Sequence, residues 1–257
     1  MTRPLRGRRI VVTRPERQAA GLVERLSVLG ADVASVPLIR IVAIDDDPRI
    51  DAALDRLAEY AMVIVTSANA ADCLVDTLRR RGLELPPAVS VVAIGGATTA
   101  RLGEYRIRAD IVPLRATGAD ILASLADHPI AGTRVLLPRA REGRPELPRG
   151  LRAAGALVDD IAFYDTAPVV PGEDGVAAII EADAVVVTSP SAVNALVSAI
   201  RGHAARSIRV VTIGPTTSDA ATRHGLVVSA EAADQSVDGL AEALVRALGE
   251  EPGQPPS

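Results

Sequence analysis

The chain contains the stretch Val63-Ile64-Val65-Thr66-Ser67-Ala68-Asn69-Ala70 and repeats it as Val185-Val186-Val187-Thr188-Ser189-Pro190-Ser191-Ala192, which indicates an internal duplication. A second stretch, Val91-Val92-Ala93-Ile94-Gly95-Gly96-Ala97-Thr98, returns as Val210-Val211-Thr212-Ile213-Gly214-Pro215-Thr216-Thr217. A third pair, Arg9–Arg14 and Arg134–Arg139, matches without gaps at an offset of 125 positions. Two copies of one α/β unit predict two similar lobes, and a crevice between lobes is a common place for a ligand.

Composition limits the classes of protein and the kind of core that this chain can form. The 257 residues leave room for two domains of about 125 residues each, close to the common domain size. The residues are 48% hydrophobic but only 2% aromatic, so the core must be built from Val, Ile, Leu and Ala. The formal net charge is -4, and no basic stripe is interleaved with aromatic residues, so we expect no nucleic-acid partner.

Single residues and segments add further expectations. Cys73 is the only cysteine and falls on a predicted helix, which excludes disulfides within the chain and favours a buried structural thiol. No long apolar segment precedes Ile10, and no apolar run approaches the roughly 18 residues of a membrane span. We therefore expect a soluble, cytoplasmic monomer without membrane contact, whose tail at 249–257 is disordered.

Short aliphatic runs alternate with helical patterns, a rhythm that predicts βαβ units and parallel sheets flanked by helices. The predicted fold class is therefore α/β with two similar domains, and its strands are 9–13, 33–36, 62–66, 89–94, 110–113, 134–138, 157–161, 184–188, 208–213 and 226–229. Two further stretches, 37–42 and 162–168, are extended and occupy matching places in the repeat, so we interpret them as paired connections between lobes. The repeat alone leaves open whether the chain divides into sequential halves or whether the first βαβ unit packs with the last third.

The repeated turns place helix N-termini at one edge of each predicted sheet. Each Thr-Ser pair ends a strand and begins a helix, and Ser189-Pro190 has the order of an N-cap followed by a first helical residue. Open α/β sheets bind ligands at the carboxyl ends of their strands, where helix N-termini suit anions. Ser and Thr cap helices whether or not a ligand binds. Four equivalent turns that converge on one crevice nevertheless predict a ligand with several carboxylates or phosphates.

Motifs for cofactor chemistry are absent from the sequence. Thr13-Arg14-Pro15-Glu16 follows the first strand where a dinucleotide-binding protein has G-x-G-x-x-G, and there is no phosphate-binding loop and no G-x-S-x-G nucleophile elbow. His128, His203 and His224 fall in predicted loops or at helix ends, without clustered carboxylates. Asp45-Asp46-Asp47 precedes Pro48 and a predicted helix, so we interpret it as a solvated helix start. We expect no nucleotide cofactor and no metal.

Taken together, these motifs resemble those of the uroporphyrinogen-III synthases. The resemblance rests on the paired T-S-x-x-A and I-G-x-x-T turns, on Val12-Thr13-Arg14-Pro15, and on Phe163-Tyr164-Asp165-Thr166 before a proline, and it extends from about residue 8 to residue 247. It implies two α/β domains with parallel sheets, joined by a two-stranded linker. The implied domains are 1–38 plus 168–257, and 39–167.

The resemblance also implies an activity. Uroporphyrinogen-III synthases are lyases of porphyrin and heme biosynthesis that cyclise hydroxymethylbilane, a linear tetrapyrrole with eight carboxylates. Loss of the terminal hydroxyl as water gives an azafulvene, and the substituted carbon of ring D attacks it to form a spiro intermediate that recloses with ring D inverted. No cofactor is required, and the protein must mainly hold the geometry that excludes the uninverted closure.

The resemblance assigns a site as well. Tyr164 matches the tyrosine of the family motif and would hydrogen-bond the leaving hydroxyl and assist its departure. The expected substrate-binding residues are Arg14, Thr66, Ser67, Thr98, Arg139, Thr188, Ser189, Gly214, Thr216 and Thr217. The alternative hypotheses are a non-enzymatic two-lobed protein that binds a small polyanion, which would share the duplication, and a nucleotide-dependent α/β enzyme, which the missing phosphate loops disfavour.

Overall fold

The computed structural model describes residues 3–113, 118–125, 128–201 and 208–249, and the chain forms two compact units. One unit is Met1–Arg40 with Ala167–Ser257, and the other is Ile41–Thr166. The predicted first boundary, after residue 38, lies two residues before the boundary after Arg40. The predicted second boundary, after residue 167, lies one residue beyond the boundary after Thr166. The predicted disordered tail lies outside the described residues from position 250 onward, as does His203.

The described residues form ten strands and ten α-helices, which alternate except where β3 follows β2 and α5 follows α4. The strands are β1 (Arg9–Val12), β2 (Asp32–Ser35), β3 (Ile39–Ala43), β4 (Tyr60–Val65), β5 (Ser90–Ala93), β6 (Arg134–Ala140), β7 (Leu157–Pro168), β8 (Ala184–Val187), β9 (Arg209–Thr212) and β10 (Val227–Glu231). The helices are α1 (Glu16–Val28), α2 (Pro48–Asp55), α3 (Ala68–Arg80), α4 (Gly95–Glu104), α5 (Gly118–Ser124), α6 (Glu146–Ala153), α7 (Glu173–Glu181), α8 (Pro190–Ala199), α9 (Pro215–Arg223) and α10 (Val237–Leu248).

The first unit is built on a five-stranded sheet of order β10-β9-β8-β1-β2, in which every neighbouring pair is parallel. The central strand β8 is fully buried, with each of its four residues 0% exposed. Burial on both faces is typical of a parallel sheet covered by helices. The predicted α/β fold with parallel sheets is confirmed.

The second unit has a five-stranded sheet of order β3-β7-β6-β4-β5, in which β7, β6, β4 and β5 run parallel. The stretches predicted as extended connections form β3 and the second half of β7, where the Ile44 N–H donates to the Phe163 carbonyl over 3.0 Å. The chain passes between the units within these two strands. A two-stranded linker stays a prediction.

Helix α3 shows how the sequence produces these layers. Ser67 begins the helix as its N-cap, since its Oγ accepts the Ala70 N–H over 3.1 Å. Ala70, Leu74 and Leu78 recur every fourth residue and form the buried face of the helix. Fully burying a side chain such as Leu74 contributes about 1.5–3 kcal/mol.

The predicted strand at 110–113 is wrong. Ile111 forms only an isolated parallel bridge with Val92. The Asp110 carboxylate accepts the Val91 N–H over 2.8 Å and so occupies a donor that a longer strand would use. Pro113, which has no N–H, ends the segment.

The strand order places the repeated turns side by side at the carboxyl edge of each sheet. In the first unit the turns after β1, β8 and β9 are neighbours, because these strands are adjacent. In the second unit the turns after β6, β4 and β5 are neighbours for the same reason.

Among the helices of the described residues, none has the length and apolar character that a membrane span requires.

Candidate functional site

The second unit brings Tyr164 and Ser67 together. Tyr164 lies on β7 and Ser67 follows β4, and their hydroxyl oxygens are 3.0 Å apart. Only 6% of Tyr164 is exposed, so the phenol ring is part of the hydrophobic core while its hydroxyl reaches the N-terminus of α3. The two residues that the resemblance singled out from distant parts of the chain therefore share a hydrogen bond.

The surroundings of Tyr164 keep its phenol neutral. Burial raises the pKa of Tyr164 above its ordinary value of about 10, and side-chain hydrogen bonds from Ser67 and Asn69 oppose that shift only partly. The Ser67 hydroxyl accepts from Ala70 and has one proton to donate, which it can give to the Tyr164 oxygen. Tyr164 can then donate its own proton to a bound hydroxyl.

Arg139 is held in an ion pair in the second unit. Its Nε and Nη2 donate to the two carboxylate oxygens of Asp160 over 2.5 and 2.8 Å, and its Nη1 donates to the Arg144 carbonyl over 2.9 Å. The side chains of Arg139 and Asp160 are 16% and 17% exposed, so this fork is largely shielded from water. Substrate binding by Arg139 stays a prediction, and a bound substrate carboxylate would have to share this arginine with Asp160.

Arg14, the counterpart of Arg139 in the repeat, is in a different environment. Its Nε is buried and has no hydrogen-bond partner among the described residues, and none of their ion pairs involves Arg14. At the offset of 125 positions, Asp160 corresponds to Ser35, so the first unit lacks the matching carboxylate. Burial lowers the pKa of Arg14, although an arginine stays charged. Arg14 is half-buried as a whole, and a cation that is partly removed from water without a counterion is costly, so this position favours an anionic ligand.

Ser189 caps α8 as Ser67 caps α3. Its Oγ accepts the Ala192 N–H over 3.1 Å, and it lies 3.0 Å from the Ser191 Oγ. The preceding residues Thr66 and Thr188 are both half-buried at the strand ends. The two caps are therefore equivalent in backbone geometry, but only the cap in the second unit has a tyrosine as its partner.

Two of the threonines in the first turns of α4 and α9 are less exposed than substrate-binding residues should be. Thr98 and Thr217 are each only 3% exposed, so these side chains pack inward and offer a ligand almost no surface. Gly214 is buried directly before α9, whereas Thr216 is exposed in the first turn of that helix. A ligand contact at these turns would come from backbone N–H groups and from Thr216, and those contacts stay predictions.

The aspartates at 45–47 begin a helix, as interpreted from the sequence. The Asp47 carboxylate accepts the Arg49 N–H over 2.9 Å as the N-cap of α2. Side-chain hydrogen bonds from Arg49 hold the pKa of Asp47 down at about 2. Asp45 forms an ion pair with Arg80 over 2.5 Å. The carboxylates of Asp45 and Asp47 are therefore occupied by structural partners.

Two sets of contacts were not predicted from the sequence. One set is the pair of hydrogen bonds between Arg139 and Asp160. The available signal was the difference between the two repeats, which have Ser35 in the first copy and Asp160 in the second. The other joins Thr212 to Ser218, whose oxygens are 2.7 Å apart, and Ser218 in turn donates to Glu231. A threonine at the end of the valine run of β9 was the available signal.

Cys73 gives a prediction about reactivity. The thiol is buried, which confirms the structural interpretation, and burial raises its pKa to about 12. Because the thiolate is the reactive form, we expect a maleimide to label the folded chain at pH 8 at least about 100-fold more slowly than a small free thiol. Chain unfolded in urea should react like the small thiol. Rapid labelling of the folded chain would contradict this placement.

Comparisons with known proteins agree on one family. The family model "Uroporphyrinogen-III synthase HemD" matches residues 20–242. A porphyrin biosynthesis protein HemD from Ruminiclostridium josui is 26% identical over 250 residues, which cover 94% of this chain and 50% of that protein. A uroporphyrinogen-III synthase from Salmonella typhimurium is 35% identical over 159 residues, which cover 60% of this chain and 63% of that protein. The chain thus spans about half to two thirds of the length of these relatives.

The fold has a solved counterpart. A uroporphyrinogen III synthase structure from Thermus thermophilus superposes with a TM-score of 0.62 at 17% identity, and the match covers 94% of this chain and 99% of that one. At this identity the likeness concerns the fold alone.

Proposed function

The chain belongs to the uroporphyrinogen-III synthase family, and on this premise we propose that it cyclises hydroxymethylbilane to uroporphyrinogen III, with loss of water and inversion of ring D. The observation that carries the proposal is the hydrogen bond between Tyr164 and Ser67 at the carboxyl edge of the second unit's sheet. This bond supports the proposal because it joins a neutral phenol to the N-cap of α3, and both residues are ones that the family resemblance assigns to the site.

The first step needs a proton at the leaving oxygen. The bond between the terminal methylene carbon and its hydroxyl breaks, and the hydroxyl leaves as water after it has received a proton. We assign the hydrogen bond to that hydroxyl to Tyr164. Ser67, held by the Ala70 N–H, donates to the Tyr164 oxygen and so stabilises the negative charge that develops on it.

The second step needs geometry more than chemistry. The substituted α-carbon of ring D attacks the azafulvene to form the spiro intermediate. The older bond at that carbon then breaks, and the released methylene carbon bonds to the free α-carbon on the other side of the ring D nitrogen. The proton from that position returns to solvent, so the net change is the loss of one water. Because the uncatalysed chain closes readily without inversion, the protein contributes mainly by holding the substrate in the productive arrangement.

Substrate carboxylates would be bound at the carboxyl edge of each sheet. In the first unit, Arg14 is a half-buried cation without a carboxylate partner among the described residues. Helix α8 starts at the end of the neighbouring strand β8, and α9 starts one strand further away. In the second unit, α3 starts at Ser67. Helix N-termini and a local arginine can attract a polyanion to a chain of net charge -4. The proposed contact residues are Arg14, Thr66, Ser67, Arg139, Thr188, Ser189, Gly214 and Thr216, whereas Thr98 and Thr217 are buried and are left out of the proposed contacts.

We propose further that the chain works as a cytoplasmic monomer without a cofactor. Every group named in the two steps is a side chain or a backbone N–H of the chain itself. Neither hydride transfer nor a covalent acyl intermediate enters the proposed reaction.

Product analysis tests the proposal. Hydroxymethylbilane is supplied to the purified chain, the products are oxidised to porphyrins, and the uroporphyrin isomers are resolved by chromatography. We expect isomer III from the reaction with the chain and isomer I from the control without it. A polyanion-binding protein would yield isomer I in both reactions, and that result would refute the proposal.

A further inference from the structure

Helices α3 and α4 are bridged by a charged cluster close to the proposed site. Asp72 on α3 accepts from Arg101 Nε and Nη2 over 2.5 and 3.1 Å, and from the Tyr105 hydroxyl over 2.8 Å. The Tyr105 ring lies against the guanidinium carbons of Arg101 and Arg79, at 5.3 and 4.9 Å from its centroid. We call Asp72, Arg101 and Tyr105 the α3–α4 bridge.

The geometry of the bridge separates it from ordinary surface ion pairs. Isolated exposed pairs contribute little to stability, whereas bidentate pairs in a network constrain the groups that they join. Arg101 and Asp72 are 27% and 17% exposed, compared with 45% and 70% for the single contact between Arg25 and Asp238. The bridge therefore constrains the two helices more strongly than a typical surface contact.

The bridge lies close to the turns that begin both helices. Asp72 is five residues beyond Ser67, a rise of about 7.5 Å along α3. Arg101 is one turn beyond Thr98, and long side chains on a helix lean toward its N-terminus, which directs the Arg101 side chain toward Asp72. A shift of α4 along α3 would move the turn at Gly95 relative to Ser67, and the bridge opposes that shift.

The repeat supplies independent support for this interpretation. Under the offset of the Thr-Ser turns, Asp72 corresponds to Asn194, and under the offset of the Ile-Gly turns, Tyr105 corresponds to His224. These two counterparts also touch, with His224 Nε2 2.9 Å from Asn194 Oδ1. Both units thus link the two helices at the same point with different chemistry.

Resting on the proposed function, we infer that Asp72 and Arg101 are positioning residues that set the relation between the helix N-termini at Ser67 and Gly95. They do not touch the reacting atoms, so they act on substrate carboxylate binding through these two turns. Loss of the bridge should raise KM for hydroxymethylbilane and leave kcat nearly unchanged.

Steady-state kinetics of isomer III formation tests the inference. We expect Asp72→Asn to raise KM about five-fold with little change in kcat, because it removes binding shared by ground and transition states. Asp72→Glu, which restores the carboxylate, should return KM to within about two-fold of the wild type. Arg101→Lys keeps the charge but loses the fork, and should raise KM about three-fold; it decides the question if Asp72→Asn fails to fold.

Asp159→Asn is the matched control. Asp159 accepts from Arg56 and Tyr60 over 3.1 and 2.6 Å near the amino ends of β7 and β4, away from the carboxyl ends where the proposed site lies. Its loss should therefore lower Tm without raising KM. An unchanged KM in the bridge variants, or an equal rise in Asp159→Asn, would overturn the inference. Absence of isomer III from the wild-type reaction would instead refute the proposed function, and the inference with it.

Discussion

Tyr164→Phe is expected to lower kcat for uroporphyrinogen III formation about 100-fold, at the lower end of what proton transfer by a positioned group contributes. The substitution keeps the ring in the core and removes only the hydroxyl that lies 3.0 Å from the Ser67 oxygen. Because the raised pKa keeps the phenol neutral through neutral and moderately alkaline pH, wild-type activity should not fall from loss of this proton below about pH 10. Initial rates over a pH series measure both effects.

Tyr60→Phe is the control for this experiment. Tyr60 is also a buried tyrosine of the second unit, and its hydroxyl donates to Asp159 over 2.6 Å, away from Ser67. Burial raises the pKa of Tyr60 to about 12, so its contribution to stability is present below about pH 10 and is lost as the pH rises toward 12. Tyr60→Phe should therefore change alkaline stability and leave kcat as it is. Equal kcat in Tyr164→Phe and the wild type would remove Tyr164 from the mechanism.

Arg14→Gln is expected to lower kcat/KM about 100-fold, the loss of a charge-assisted contact to a substrate carboxylate. The same change should leave Tm unchanged or raise it, because it removes a half-buried charge that no carboxylate of the described residues neutralises. Activity and stability would then move in opposite directions, as they do where a residue is retained for binding. Kinetics and thermal denaturation of one preparation measure both quantities.

The repeat offers a matched comparison in Arg139→Gln. Arg139 has the equivalent place in the second unit, but its guanidinium is held by Asp160. Removing it leaves a largely buried carboxylate without its partner and should cost about 2 kcal/mol of stability. If Arg14→Gln instead destabilised the protein as much as Arg139→Gln and left kcat/KM unchanged, Arg14 would be a structural residue.

The fold could be predicted from the sequence because its signals are local and occur twice. Aliphatic runs such as Ala184–Val187, followed by Ser or Thr and then a helical pattern, are enough to predict a parallel sheet with capped helices. The strand predicted at 110–113 is not formed, because the Asp110 carboxylate accepts the Val91 N–H and Pro113 has no N–H to donate. An aliphatic pattern reveals neither effect.

The site was less predictable, because the role of a side chain depends on its partners. Arg14 and Arg139 look alike in the sequence, and only the contact with Asp160 distinguishes a paired from an unpaired arginine. Thr98 and Thr217 occupy turns like those of Thr66 and Thr188, yet they point into the core. The contact between Tyr164 and Ser67 joins residues 97 positions apart, and only the family resemblance placed both of them in one site.

The isomer composition of the product at a fixed amount of hydroxymethylbilane, measured over a series of chain concentrations, is the sharpest test of the proposed activity. We expect isomer I to dominate at the lowest concentrations and isomer III to replace it as the chain outpaces spontaneous closure. We also expect Tyr164→Phe to need a much higher concentration to reach the same composition. A product that stays isomer I at every concentration of the wild-type chain would refute the proposed activity.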